Sequence, residues 1–144
     1  MTRPLILRIK RLDPGIVLPA KAHGDDAGFD VFAPRDVSIF GNRAPVVVAL
    51  GFSVELPMGY GAVLVARSSR AADGIVILGS LIDPGYRGVW KAVVGKIGDG
   101  RESILAGEKL CQFILLPVPR VEVVEVNDLA GSARGAGGFG STGK

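Results

Sequence analysis

The sequence predicts an all-β domain: a distorted jelly-roll β-barrel of short strands, one short helix at most, and a flexible glycine-rich C-terminal tail. Three observations lead there. Gly 21 and Pro 9 in 144 residues interrupt the chain too often for long helices. The apolar residues are mainly Val, Ile, Leu and Phe, which favour a pleated, half-buried surface. They fall in short runs separated by turn residues at regular spacing, the pattern of a sandwich or barrel.

Taken in order, Leu5–Lys10 opens as a strand, and residues 12–27 are loop, broken by Pro and Gly. Residues 29–33 form a strand that stops at Pro34. Val37–Ile39, Pro45–Leu50 and Phe52–Leu56 follow as strands, and Pro57–Tyr60 is a turn. Gly61–Ala66 is a buried strand running into Arg67-Ser-Ser-Arg-Ala-Ala72, the one place for a short helix, with Ser68 or Ser69 as its cap. Ile75–Leu78 and Leu81–Ile82 flank Gly79-Ser80, which suits a hairpin turn with positive φ at Gly79. Gly88–Val94 and Lys109–Leu116 are strands on either side of a Gly/Asp-rich loop, and Val121–Val126 is the last strand. Composition changes only near Asp128. Residues 1–127 are therefore read as one barrel domain and 128–144 as its tail.

A chain of this length can bury a proper core, and its 48% hydrophobic content excludes general disorder. The net charge of +3 suits an anionic small ligand. Without a Lys/Arg run or an interleaved aromatic stripe, a nucleic-acid surface is unsupported. One cysteine, Cys111, excludes an intrachain disulfide and points to an intracellular protein of cytoplasm or nucleus. Cys111 lies in an apolar run and reads as a buried, inert thiol. Arg3, Arg8 and Lys10 interrupt the first apolar residues, against a signal peptide, and no apolar run reaches membrane-spanning length.

Several clusters carry chemistry. Asp83, after Leu81-Ile82 and before Pro84-Gly85, is expected to be partly buried. It is either a general base or metal-organising carboxylate, or a turn acid satisfying local amides. Arg67, Ser68 and Ser69 join a cation to two hydroxyls where a buried strand emerges, which makes either a phosphate seat or an exposed helix cap. Gln112, an amide among apolar strand residues, needs partners, either backbone or ligand. His23 alone supports no zinc cluster and no convincing Ser-His-Asp triad, and it reads as an exposed loop residue. A P-loop is absent, though a triphosphate could bring its own divalent ion. The tail, Arg134 to Lys144, is nearly half glycine, yet it carries Phe139, two hydroxyls and two cations. That suits a flexible cover for a ligand bearing both a ring and phosphates.

Five segments, in this order, resemble the five motifs of the trimeric dUTPase family: Ala27–Ala33, Arg67-Ser-Ser69, Ile82-Asp-Pro-Gly-Tyr-Arg-Gly88, Gly107–Gln112 and Arg134–Gly143. Together they cover the chain nearly end to end. The resemblance implies a dUTPase-like (β-clip) jelly roll, a homotrimer with shared active sites, and Mg²⁺-dependent hydrolysis of dUTP to dUMP and pyrophosphate. That reaction keeps uracil out of DNA and supplies dUMP for thymidylate synthesis. Asp83 matches the catalytic carboxylate that activates water. Tyr86 matches the residue beneath the deoxyribose, and Gly79, Ser80, Leu81 and Ile82 match the uracil pocket. Arg67, Ser68, Ser69 and Gln112 match phosphate-binding positions. In the tail, Phe139 matches the ring that stacks on uracil, while Arg134, Gly138, Ser141 and Thr142 match its phosphate contacts. No direct protein ligand to Mg²⁺ is implied; Asp30 acts on metal-bound waters or on nearby cations.

The chain also departs from the family pattern. Gly85 and Val89 stand where many members have acids, Ser69 where Gly is common, and Ala136 where Glu is frequent. The uracil hairpin lacks the usual Asn, so base recognition falls to backbone groups. A dCTP deaminase-like enzyme would resemble the Asp83 segment but needs a downstream acid, and Val89–Gly95 has none. A non-enzymatic relative acting as an interaction protein would be expected to lose Asp83, Tyr86 or the tail, and all are kept.

Overall fold

The computed structural model describes residues 3–140 and residue 143. Eleven strands and one helix follow in this order: β1 (Arg8–Arg11), β2 (Phe29–Phe32), β3 (Val37–Phe40), β4 (Val46–Ala49), β5 (Phe52–Glu55), β6 (Tyr60–Val65), α1 (Ser68–Ala72), β7 (Ile75–Leu78), β8 (Leu81–Ile82), β9 (Lys91–Lys96), β10 (Arg101–Ile104) and β11 (Lys109–Pro117). All pairings are antiparallel. They build a four-stranded sheet β2-β11-β6-β8, a three-stranded sheet β4-β9-β7, and the ribbons β1-β5 and β10-β3. The nearly all-β expectation holds. The described strands do not close into one continuous barrel.

Alternation drives the inward faces together. Val37 and Ile39 of β3, Phe52 and Val54 of β5, and Ala92 and Val94 of β9 are buried, with partly or fully exposed residues between them. The centre is aromatic. Trp90 meets Phe113 edge-on at 5.1 Å and Phe52 at 5.7 Å, and Phe113 stacks on Phe29 at 4.8 Å. Trp90 also ties the backbone, donating its N–H to Phe52 O and accepting from Leu50 N–H. Cys111 is fully buried, and desolvation pushes its thiol up to about 12. That agrees with an inert packing residue.

Four local expectations are corrected. First, β7 and β8 do not pair with each other. β7 joins β9 and β8 joins β6, so Gly79-Ser80 is a sharp turn between two sheets, although Gly79 does take positive φ (53°). Second, the cap position of α1 is Arg67, with no side-chain cap bond, because the chain turns one residue before the serines. Third, the Gly/Asp-rich loop contains β10, which pairs with β3, and the strand read from Gly88 begins only at Lys91. Fourth, Val121–Val126 forms no strand. All six residues are exposed, and no strand among the described residues pairs with them.

Candidate active site

β11 organises the cationic half of the candidate site. Its register shifts between Lys109 and Cys111, a β-bulge that lets Leu110 and Cys111 both point inward. Residues three apart on a regular strand face opposite sides, but here Lys109 and Gln112 line one cavity. Gln112 lies opposite Asp30 of β2 and Val65 of β6. Asp30 therefore sits beside the point where β6 leaves the sheet at Arg67.

Asp30 is the only buried charged side chain among the described residues, and both of its oxygens are engaged. Arg67 Nε lies 3.0 Å from Oδ1 and Lys109 Nζ 2.7 Å from Oδ2. A buried carboxylate without such partners would be costly. With them, it holds two cations side by side at the wall of a cavity of about 440 Å³, also lined by His23, Asp26, Gly28, Ser68 and Gln112. Gln112 donates weakly to Ala66 O at 3.4 Å. A Cβ on Gly28 would stand 2.6 Å from Gln112 Oε1, so the amide keeps this position only beside a glycine. Arg70 braces α1 from behind, reaching Glu108 at 3.2 Å, Glu102 at 3.6 Å and the Lys109 carbonyl. Ser69 faces a different cavity on that side, with Phe32, Arg70 and Glu108.

The second half gathers at the end of β8. Leu81, Ile82, Asp83, Tyr86 and Lys91 line a cavity of about 170 Å³. The 83–86 turn closes with Tyr86 N–H on Asp83 O at 3.1 Å, and Arg87 braces it by donating to the Pro84 carbonyl at 2.9 Å. Tyr86 donates its hydroxyl to Val89 O at 3.0 Å. Its ring leaves no room for a Cβ on Gly88, which would sit 2.4 Å from the phenolic oxygen. Asp83 is exposed, not partly buried as expected, because the Pro84-Gly85 turn carries it off the sheet end. The turn at Gly79 and Ser80 stands next to this cavity in the chain, and the Ser80 carbonyl is already taken by Leu64 N–H.

No residue lines both cavities. The described residues of the tail line neither. Phe139 is fully exposed with φ 49°, Gly138 is exposed, and Arg134 Nε folds back onto Gly137 O at 2.8 Å. Ser141 and Thr142 lie outside the described residues. The described site residues thus fall into a cationic seat, a small pocket beside an exposed carboxylate, and a separate aromatic segment of the tail. Lys109, Lys91 and Gly28 escaped the sequence reading, although Lys109 and Gly28 lie inside segments it had singled out.

A dUTPase family model matches residues 15–143. The chain belongs to the dUTPase family. A deoxyuridine 5'-triphosphate nucleotidohydrolase of Hydrogenobaculum is 38% identical over 140 residues, covering 95% of this chain and 97% of that protein. One from Streptomyces avermitilis is 41% identical over 150 residues, covering 99% and 84%. Among solved structures, the dUTPase of Staphylococcus bacteriophage 80alpha with dUPNHPP superposes with a TM-score of 0.86 at 26% identity, covering 96% of this chain and 99% of that one. The dUTPase fold of this chain therefore extends over nearly its whole length.

Proposed function

We propose that this chain hydrolyses dUTP to dUMP and pyrophosphate. The observation that carries the reading is the pairing of a cationic seat with a small pocket beside an exposed carboxylate, in a chain of the dUTPase family. Asp83 takes a proton from water as the water oxygen bonds to the α-phosphorus. The bond from that phosphorus to the bridging oxygen breaks, and its electron pair leaves with pyrophosphate. Arg67, Lys109, Ser68 and Gln112 supply fixed cations and donors for the charge that builds on the leaving group. Tyr86, held by Val89 O and pressed on Gly88, lies under the sugar and rejects a 2′-hydroxyl. Backbone groups of Gly79–Ile82 read the uracil edge. Residues 128–144 close over the substrate, with Phe139 on the base and Arg134, Gly138, Ser141 and Thr142 toward the phosphates.

Mg²⁺ fits this donor set. Both oxygens of Asp30 already face cations, so an ion would ride on the triphosphate oxygens, and Asp30 would hold it through water. When bound, it would neutralise phosphate charge.

The active unit is a homotrimer with shared sites. Two features support this. Val121, Val123, Val124 and Val126 are 76%, 93%, 67% and 55% exposed, an apolar segment that a single chain leaves uncovered. A pocket of about 170 Å³ is also smaller than the few hundred Å³ usual for ligand sites, as expected if a neighbouring chain supplies the remaining walls.

A pyrophosphate-release assay across dUTP, dCTP, dTTP and UTP with Mg²⁺ tests the reading. dUTP alone should turn over efficiently. Asp83→Asn should abolish turnover while dUTP binding stays within about tenfold, or ~1.4 kcal/mol. Substantial residual turnover in that variant would remove Asp83 as the base.

A further inference from the structure

His23 is the only imidazole in the chain and lies outside every role assigned above. It lines the same cavity as Arg67, Ser68, Lys109 and Gln112. Its turn is locked. His23 N–H donates to Asp26 Oδ2 at 2.8 Å, and Asp26 N–H returns to His23 O at 3.1 Å. That first bond is the main reason the Asp26 carboxyl lies below its ordinary value. Asp26 is thus an anion at neutral pH, and its Oδ2 sits 3.4 Å from His23 Nδ1. A carboxylate beside Nδ1 favours the proton there and leaves Nε2 as the open nitrogen of the ring. The ring is 85% exposed, so neither packing nor a buried partner consumes it.

We infer that His23 is a phosphate-binding residue whose contribution is switched by protonation, and that it contacts the outer phosphates of the triphosphate and the pyrophosphate product. This rests on the reading that Arg67, Lys109, Ser68 and Gln112 hold those phosphates. Neutral, the open nitrogen can only accept a hydrogen bond, which a phosphate oxygen cannot supply. Protonated, it donates to the anion and adds a charge. The charged groups around it are Lys21, Asp25 and Asp26 on its own turn, Asp30 of β2, Arg67 before α1, and Lys109 of β11. Phosphate binding at this cavity wall therefore strengthens as pH falls across the imidazole range.

The test compares wild type with His23→Gln at about pH 6 and about pH 8.5, on either side of the imidazole range. The ring is exposed, so the substitution leaves folding intact, which the melting temperature checks. KM for dUTP in the variant should exceed wild type by about tenfold at the lower pH, the scale of one charge-assisted hydrogen bond, and by less than about twofold at the higher. kcat should change little at either. Titration protonation of dUTP itself affects both proteins equally and cancels in the ratio. Pyrophosphate binding, measured by calorimetry in Mg²⁺, should show the same pH-dependent gap. A KM ratio independent of pH, or unchanged pyrophosphate affinity, overturns the inference while leaving dUTP hydrolysis standing. If wild type failed to hydrolyse dUTP, the proposed activity would fall, and the calorimetry would still decide the role of His23.

Discussion

Replacing Asp30 with Asn removes one negative charge from between two cations without changing side-chain volume. The Asn oxygen can still accept from Arg67 or from Lys109, but its NH₂ then faces the other cation, donor against donor. Breaking a fully buried pair costs about 3–5 kcal/mol, and an exposed one about 0–1. Here the carboxylate side chain is 12% exposed and its partners 30% and 36%. The two pairs lie between those limits, at about 2–3 kcal/mol together. For a domain of this size that lowers the melting temperature by roughly 5–10 °C, compared at equal protomer concentration. Asp25→Asn, at an exposed position outside the ion pairs of the described residues, serves as control and should stay within about 0.5 kcal/mol. Urea and thermal denaturation measure both. KM for dUTP should also rise, because Arg67 and Lys109 lose their common anchor. An Asp30→Asn protein within about 0.5 kcal/mol of wild type would refute the claim that this carboxylate holds the seat together.

Gly28→Ala places a Cβ 2.6 Å from Gln112 Oε1, and the flexible amide must swing away. Stability should fall little, while KM for dUTP rises roughly fivefold, about 1 kcal/mol; a lowered melting temperature with unchanged KM would assign Gly28 to folding alone. Tyr86→Ala removes the ring held at Val89 O and should admit UTP; an unchanged dUTP/UTP ratio of kcat/KM would remove Tyr86 from sugar discrimination. Cys111, its thiol pushed up to about 12 by burial, is about one part in ten thousand thiolate at pH 8. Iodoacetamide should therefore label it only after unfolding, and rapid labelling of native protein would contradict its burial.

Much of this fold is legible because alternation and turn residues act locally. β2 through β6 lie within a residue or two of where the apolar runs put them. What escaped the sequence depends on contacts distant in the chain. β10 is polar and short, and only its pairing with β3 makes it a strand. Val121–Val126 has the composition of a strand, but a strand exists only by pairing, and no described strand of its own chain pairs with it. Residues 78–82 look like a hairpin because their neighbours are strands. Whether those strands pair is decided by β6 and β9, which compete for them. In the site, Asp30, Arg67 and Gln112 could be named from the resemblance, but the place of Lys109 could not. It depends on a bulge that reverses the facing of every residue before it. Asp83 is exposed despite its apolar neighbours in sequence, because the following turn lifts it off the sheet.

The two cavities differ in what one chain can finish. In the phosphate seat, two cations would repel each other in the empty state, and Asp30 cancels that repulsion from within the same chain. The seat is therefore preformed, and little reorganisation is needed when an anion arrives. Arg67 and Lys109 together carry one charge more than Asp30 cancels, a local cationic point on a wall that also holds the carboxylate of Asp26. Such a surface cannot tell uracil from cytosine. Discrimination needs the base edge enclosed, so that a wrong pattern of donors leaves buried groups unpaired. The pocket beside Asp83 is too small and too open to enclose a base by itself, and Phe139 stands away from it. On the proposed reading, affinity for phosphate would reside in one folded chain, whereas selectivity for the base and closure over Asp83 would need parts brought from elsewhere. On the same reading this separation protects the chemistry: the exposed Asp83 would commit water to attack only when the closure that verifies the base also fixes the phosphates in line.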